Sequence, residues 1–212
     1  MPRIYLRIFV ARSADIQNHR IQYDLYTIRK ILSPIEVRLI TFQYLPRNLN
    51  YNFNQISCDT SQPVETELAN HNPDGYAHDG RLITIYYLGG KANEACYASE
   101  FNNPDNNYNE NFPINSYVYL ANFPLDPFLF CHEVVHCLFD RLEDGVLINT
   151  DPDPLVGDPS HNANDDNLMY PITPDPAPYL SSPRDPLPER FFTIEQKRKA
   201  MGSQYVFNKI DI

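Results

Sequence analysis

The stretch FLFCHEVVHCLF, Phe128 to Phe139, constrains this chain more than any other. Within it lies His132-Glu133-Val134-Val135-His136, an HExxH motif. Residues four apart on an α-helix sit one turn above each other on the same face. Two imidazoles at that spacing can bind one zinc ion, and Glu133 beside the first can act as general base on the water held by that metal. The flanks argue for a helix. Asp126 supplies an N-cap side chain and Pro127 occupies the first helical position. Phe128, Cys131, Val135, Leu138, Phe139 and Leu142 then recur at helical spacing as one apolar stripe. His132 and His136 fall on its shoulder, where a buried helix would meet a cleft, and Gly145 is the expected stop. A core helix whose histidines pair with carbonyls or carboxylates is the competing reading of the same letters.

A catalytic zinc takes three protein ligands and keeps one position open. Asp140 and Glu143 share the histidine face, but a helical rise of ~1.5 Å per residue sets them about 6 and 10 Å below His136. The third ligand must therefore return from elsewhere. His19 and His71 stand in unpromising contexts, and His78 lies in an Asp- and Gly-containing loop. His161 follows the helix and comes shortly before Asn167-Leu-Met-Tyr-Pro171.

A chain of 212 residues, 42% hydrophobic and 13% aromatic, can bury a large core and suits one substantial domain. Nineteen prolines against seven glycines imply long, stiffened loops. The formal net charge of −10 argues against nucleic acid or an anionic membrane as the main partner. No apolar run approaches the ~20 residues that span a bilayer. The N-terminus, apolar but carrying Arg3 and Arg7, reads as a strand and not as a secretory signal. The expected location is cytoplasmic, or outside by a signal-independent route, unless a leader is missing from the sequence. Cys58, Cys96, Cys131 and Cys137 show no CxxC spacing. Cys131 and Cys137, six apart on one helix, point to different sides and are expected as buried free thiols, with the compartment left open.

In chain order, a strand over 4–10 leads to a helix over 15–32, stopped by Ser33-Pro34, and a second strand over 35–42. This β-α-β opening implies a parallel pair. Residues 43–79 read as a surface connection with a short helix near Val64 to Leu68. A strand over 81–88 is apolar enough for burial on both faces, 95–101 is a candidate edge strand, 102–111 a loop and 116–122 another strand. The acidic, proline-rich stretch 151–166 reads as a solvated loop. Calcium is conceivable there but lacks the spacing of an EF-hand. A Thr193-x-x-Gln196 capping box opens a last helix running to about Tyr205.

Asn167-Leu-Met-Tyr-Pro171 resembles the Met-turn of metzincin zinc peptidases, and the order of elements is similar to theirs. The resemblance implies one catalytic domain over 1–212, sheet-rich over 1–122, with the active-site helix, Met-turn and C-terminal helix in 123–212. Its fold class is α/β (α+β), zincin-like, with a twisted, mostly parallel mixed sheet and an antiparallel edge strand. It makes His132 and His136 metal ligands, Glu133 the general base and Met169 the supporting methionine. Tyr170 and Pro171 become a wall of the pocket for the side chain after the cut. The sequence departs from HExxHxxGxxH, carrying Phe139 at the glycine and Leu142 at the third ligand. A postponed turn needs a postponed ligand, so His161 is placed third, with Asp165 or Asp166 as alternatives.

The reading is a zinc-dependent endopeptidase with a polypeptide substrate, which could pair with the edge strand over 95–101. The alternatives are a zinc hydrolase of a non-peptide substrate and a binding protein on an inactive peptidase scaffold. Neither a physiological substrate nor an oligomeric state follows from the sequence.

Overall fold

A computed structural model describes residues 1–17, 19–49, 51–58, 62–70, 81–90, 95–101, 114–122 and 126–207. Its elements are β1 (Arg3–Val10), α1 (Arg20–Ile31), β2 (Glu36–Tyr44), α2 (Pro63–Asn70), β3 (Ile83–Tyr87), β4 (Ala95–Phe101), β5 (Ile114–Leu120) and α3 (Pro127–Phe139). There follow β6 (Asp140–Glu143), β7 (Val146–Asn149), β8 (Pro154–Leu155), β9 (Asp158–Asn162), α4 (Ala177–Ser181) and α5 (Ile194–Met201). The expected loop over 102–111, and His71 and His78, lie outside the described residues.

Five strands form one sheet in the order β2-β1-β3-β5-β4. All neighbours run parallel except β4, which pairs antiparallel with β5 at the edge. The architecture is therefore mixed α/β with an antiparallel edge strand. Every residue of β3 is buried, as its apolar run requires of an inner parallel strand covered on both faces. Alternation sends Ile4, Leu6, Ile8 and Val10 to one face, where they pack with Ile21, Leu25 and Ile28 of α1 and Val134, Val135 and Leu138 of α3. Phe9, Tyr86 and Tyr119 take the other face as a stacked row, with ring centroids 5.4 and 5.5 Å apart.

That second face corrects one expectation. Residues after β2 do more than run over the surface: Leu45, Leu49, Phe53 and Leu68 are buried against the tyrosine row. The short helix is present as α2. Cys58, which precedes that helix, is disulfide-bonded to Cys96 of β4, fastening this cover to the sheet edge, whereas Cys131 and Cys137 are free and buried.

Two helix boundaries also move. The first helix begins at Arg20, not Asp15, and ends beside a cis Ser33-Pro34 bond. Asn122 holds the preceding segment instead, accepting from the Asp15 N–H and donating to the Ser13 carbonyl. The last helix has the expected capping box but ends at Met201, four residues short of Tyr205. No helix among the described residues is long and apolar enough to cross a membrane.

Candidate metal centre

The central helix starts as its sequence predicts. Asp126 Oδ1 accepts from the N–H groups of Phe128 and Leu129 at 3.0 and 3.2 Å, with Pro127 in the first turn. The helix is buried on nearly every side, so the expected apolar stripe with a polar shoulder is a narrower picture than the one observed. His132 and His136 are themselves only 4% and 2% exposed.

The end of the helix differs from expectation, and the difference builds the site. Helical structure stops at Phe139, not Gly145. Asp140 turns into extended backbone, and β6 pairs antiparallel with β7, placing Asp140 opposite Asn149. The link is Asp144-Gly145, both left-handed at φ 51° and 78°, the pair favoured by a two-residue hairpin turn. Leu142 satisfied the helical stripe by spacing alone; it also satisfies a strand, opposite Leu147. The hairpin brings Asn149 back onto the helix end, where its Nδ2 donates to the His136 carbonyl at 2.6 Å.

The segment read as a solvated acidic loop is ordered as β8 and β9, with Asp151 and Asn162 buried. His161 lies on β9. Its ring centroid is 5.2 Å from that of His132 and 5.0 Å from that of His136. Among the described residues, these three histidines form a group that could hold a metal ion, their ligand atoms within 4.8 Å of one another. Asp165 and Asp166 are not brought to it: both are exposed, and Asp166 pairs with Arg190 at 3.2 Å. His19 sits exposed before α1.

The donor set fits a cation. His132 Nδ1 donates to the Leu168 carbonyl at 2.8 Å, His136 Nδ1 to Asn149 Oδ1 at 3.2 Å and His161 Nδ1 to Asp158 Oδ2 at 2.7 Å. Each ring then keeps its lone pair on Nε2, and the Nε2 atoms of His132 and His136 face each other at 3.0 Å. Two lone pairs so placed repel unless a positive charge lies between them. Acceptors behind each imidazole are the usual orienting shell of a metal-binding histidine. Burial acts in the same direction, lowering His132 to about 4 and His136 well below its ordinary range, so both rings are neutral and free to coordinate.

Glu133 is buried, and that burial raises its carboxyl to about 8 against the opposing pull of a hydrogen bond from the Tyr97 backbone N–H. Tyr97 also stacks on the His136 ring at a centroid distance of 4.6 Å. Met169 is fully buried in the turn Asn167–Tyr170, whose Leu168 carbonyl holds His132. Its own N–H donates to Asn167 Oδ1, and its carbonyl accepts from the Asn162 N–H beside His161. Tyr170 is half-buried, and Pro171 and Ile172 are exposed.

Asn149, Asp158, Tyr97 and the Leu168 carbonyl escaped the sequence reading. Asp-Gly between two apolar stretches was the available signal for the first: it calls for a hairpin, and a hairpin there returns Asn149 to the helix. Nothing local points to the other three.

No family model matches the chain, and no curated protein matches it in sequence. Solved structures that match in shape include metalloproteinase-II from Bacteroides fragilis, at 13% identity and a TM-score of 0.45. The match covers 81% of this chain and 47% of that one, so the chain spans about half the length of that protein.

Proposed function

We propose that this protein is a zinc-dependent peptidase, with His132, His136 and His161 as ligands and Glu133 as general base. One observation carries the reading: three imidazoles converge on a common point, each backed by an acceptor on Nδ1, with Glu133 next to the first ligand in the helix. Three nitrogen ligands with a fourth position left open is the coordination of catalytic zinc. Bound there, zinc supplies Lewis acidity toward a carbonyl and toward water.

The chain's own groups do the rest. Glu133 accepts a proton from water during attack and returns it to the leaving amine. Burial raises the affinity of this carboxyl for protons, which suits the return step, and a cation at the triad would draw it back toward the ionised base that the first step needs. Tyr97 packs flat on His136 and limits its rotation. Met169 and its turn fix the carbonyl that holds His132.

A peptide is favoured over other carbonyl substrates by the position of β4. Among the described residues this strand has β5 as its one partner in the sheet and lies at the edge, and it carries Tyr97 directly against the site. An extended peptide can add to such an edge through main-chain hydrogen bonds. Tyr170 and Pro171, following Met169, are assigned to the wall that meets the side chain after the cut.

The test pairs zinc stoichiometry with a digest of an unbiased peptide library. Glu133→Gln is expected to keep one zinc per chain and the native fold while losing ~10²–10⁴-fold or more of the turnover. Full hydrolysis by that variant removes Glu133 from its role. Zinc bound without peptide cleavage by the parent protein moves the reading to another hydrolase or an inactive scaffold.

A further inference from the structure

The orientation of His136 depends on an amide that could sit either way round. With Oδ1 toward the ring, Asn149 accepts a proton from Nδ1 and leaves the Nε2 lone pair for a metal. With Nδ2 toward the ring, Nδ1 would have to be the acceptor, and the proton would move to Nε2 and block the metal side. Two oxygens that cannot donate decide the matter. Asn149 Nδ2 lies 2.6 Å from the His136 carbonyl and 2.6 Å from Asp140 Oδ1. Turning the amide over would replace two hydrogen bonds with two oxygen–oxygen contacts.

We propose, on the reading of the histidine triad as a metal site, that Asp140 is a positioning residue which acts through Asn149 to keep His136 in its metal-binding tautomer. Asp140 is buried and is itself held from the far side. Its Oδ2 accepts from the hydroxyls of Ser99 on β4 and Ser116 on β5, residues that face each other in the sheet ladder. That leaves Oδ1 for Asn149. The Asn149 amide nitrogen and the two serine hydroxyls all donate to the carboxyl they surround, which holds it in place as an acceptor. The His136 carbonyl supplies part of the bias and is also satisfied by the Asp140 N–H; the carboxylate supplies the part that a substitution can remove. His132 is the internal control, since a backbone carbonyl fixes its tautomer without any amide to turn.

The experiment reads the imidazole nitrogens of the metal-free, 15N-labelled protein by NMR and separately titrates Zn2+. In the unaltered chain His136 is expected to carry its proton on Nδ1. Asp140→Leu, close in shape but without the acceptor, is expected to populate the Nε2–H form of His136, leave His132 as it was, and weaken Zn2+ binding by roughly 10–100-fold. A proton on Nε2 of His136 in the unaltered protein overturns the proposal whether or not the variant folds. So does a folded Asp140→Leu protein with the parent's tautomer and zinc affinity. A tautomer shift in a protein that binds no zinc supports the positioning role and removes the metal reading instead.

Discussion

In the five-stranded sheet and its two packed helices, most of what is buried is apolar or aromatic; between Asp140 and Phe192, strands are at most five residues long and four of the nine buried residues, Asp140, Asp151, Asn162 and Asn167, are carboxylates or amides. Asp151 is the hub of this second region. Its Oδ1 accepts from Asn162 Nδ2 at 2.7 Å and from the Asp153 N–H at 2.9 Å, and its Oδ2 accepts from Gln196 Nε2 at 2.7 Å. Gln196 in turn reaches Asn167, so the strand bearing His161, the turn bearing Met169 and the last helix share one network. Apolar burial is strong and non-directional, which suits a scaffold. Hydrogen bonds fix direction, which suits a constellation that must be held to a fraction of an ångström.

The contrast breaks most visibly at His161, which belongs to the polar region but completes the centre. His161→Ala is expected to abolish stoichiometric zinc binding while the metal-free protein melts close to the parent. Zinc titration checks it, and unchanged affinity would return the third ligand to an open question. In the sheet the pattern should invert. Ile85→Ala, at a fully buried position of β3, is expected to cost ~2–5 kcal/mol of stability through lost burial and a residual cavity. Denaturant unfolding gives the loss, and the folded fraction should bind zinc as before.

One buried charge inside the apolar region sharpens the comparison through pH. Burial raises Asp24 from 3.8 to about 7, against the pull of Arg20 and a hydrogen bond from the Tyr87 hydroxyl. The folded state therefore binds more protons than the unfolded state across that window. The stability this group contributes is complete below about 4 and is lost as pH rises through about 7. Asp24→Asn is expected to flatten the decline, and melting temperatures recorded from pH 4 to 8 would show it. A parent protein that gains stability relative to the variant on going from pH 4 to 7 contradicts the sign.

The smallest effect belongs to the hairpin that returns Asn149. Gly145 has φ 78° and open space around its Cβ position, so Gly145→Ala meets backbone strain and no clash. A loss of roughly 1–2 kcal/mol is expected, together with a modest drop in zinc affinity. A stability change without any effect on zinc would show that the hairpin serves the fold alone.

Much of the first region was legible in advance because its signals are local and periodic. Ile4, Leu6, Ile8 and Val10 alternate, β3 is aliphatic or aromatic at every position but Thr84, and Asp126-Pro127 marks the start of the central helix. His161 could be singled out by elimination and by its place before Asn167-Leu-Met-Tyr-Pro171. Periodicity also misled: Leu142 fits a helical stripe and a strand equally, and weighting the stripe over Asp144-Gly145 extended the helix to Gly145.

What the sequence determined by itself was most of the elements as far as the central helix and the two imidazoles one turn apart, since both follow from spacing along a single segment. Tertiary structure decided where the helix stopped, that Cys58 meets Cys96, and which oxygen stands behind each histidine: Leu168, Asn149 and Asp158. Two of those oxygens, and the disulfide partner, belong to separate elements joined only in the fold, and Asp158 comes into play because β9 carries it beside His161. A polar group's partner is chosen by direction and by which other acceptors are already satisfied, and neither leaves a period in the chain.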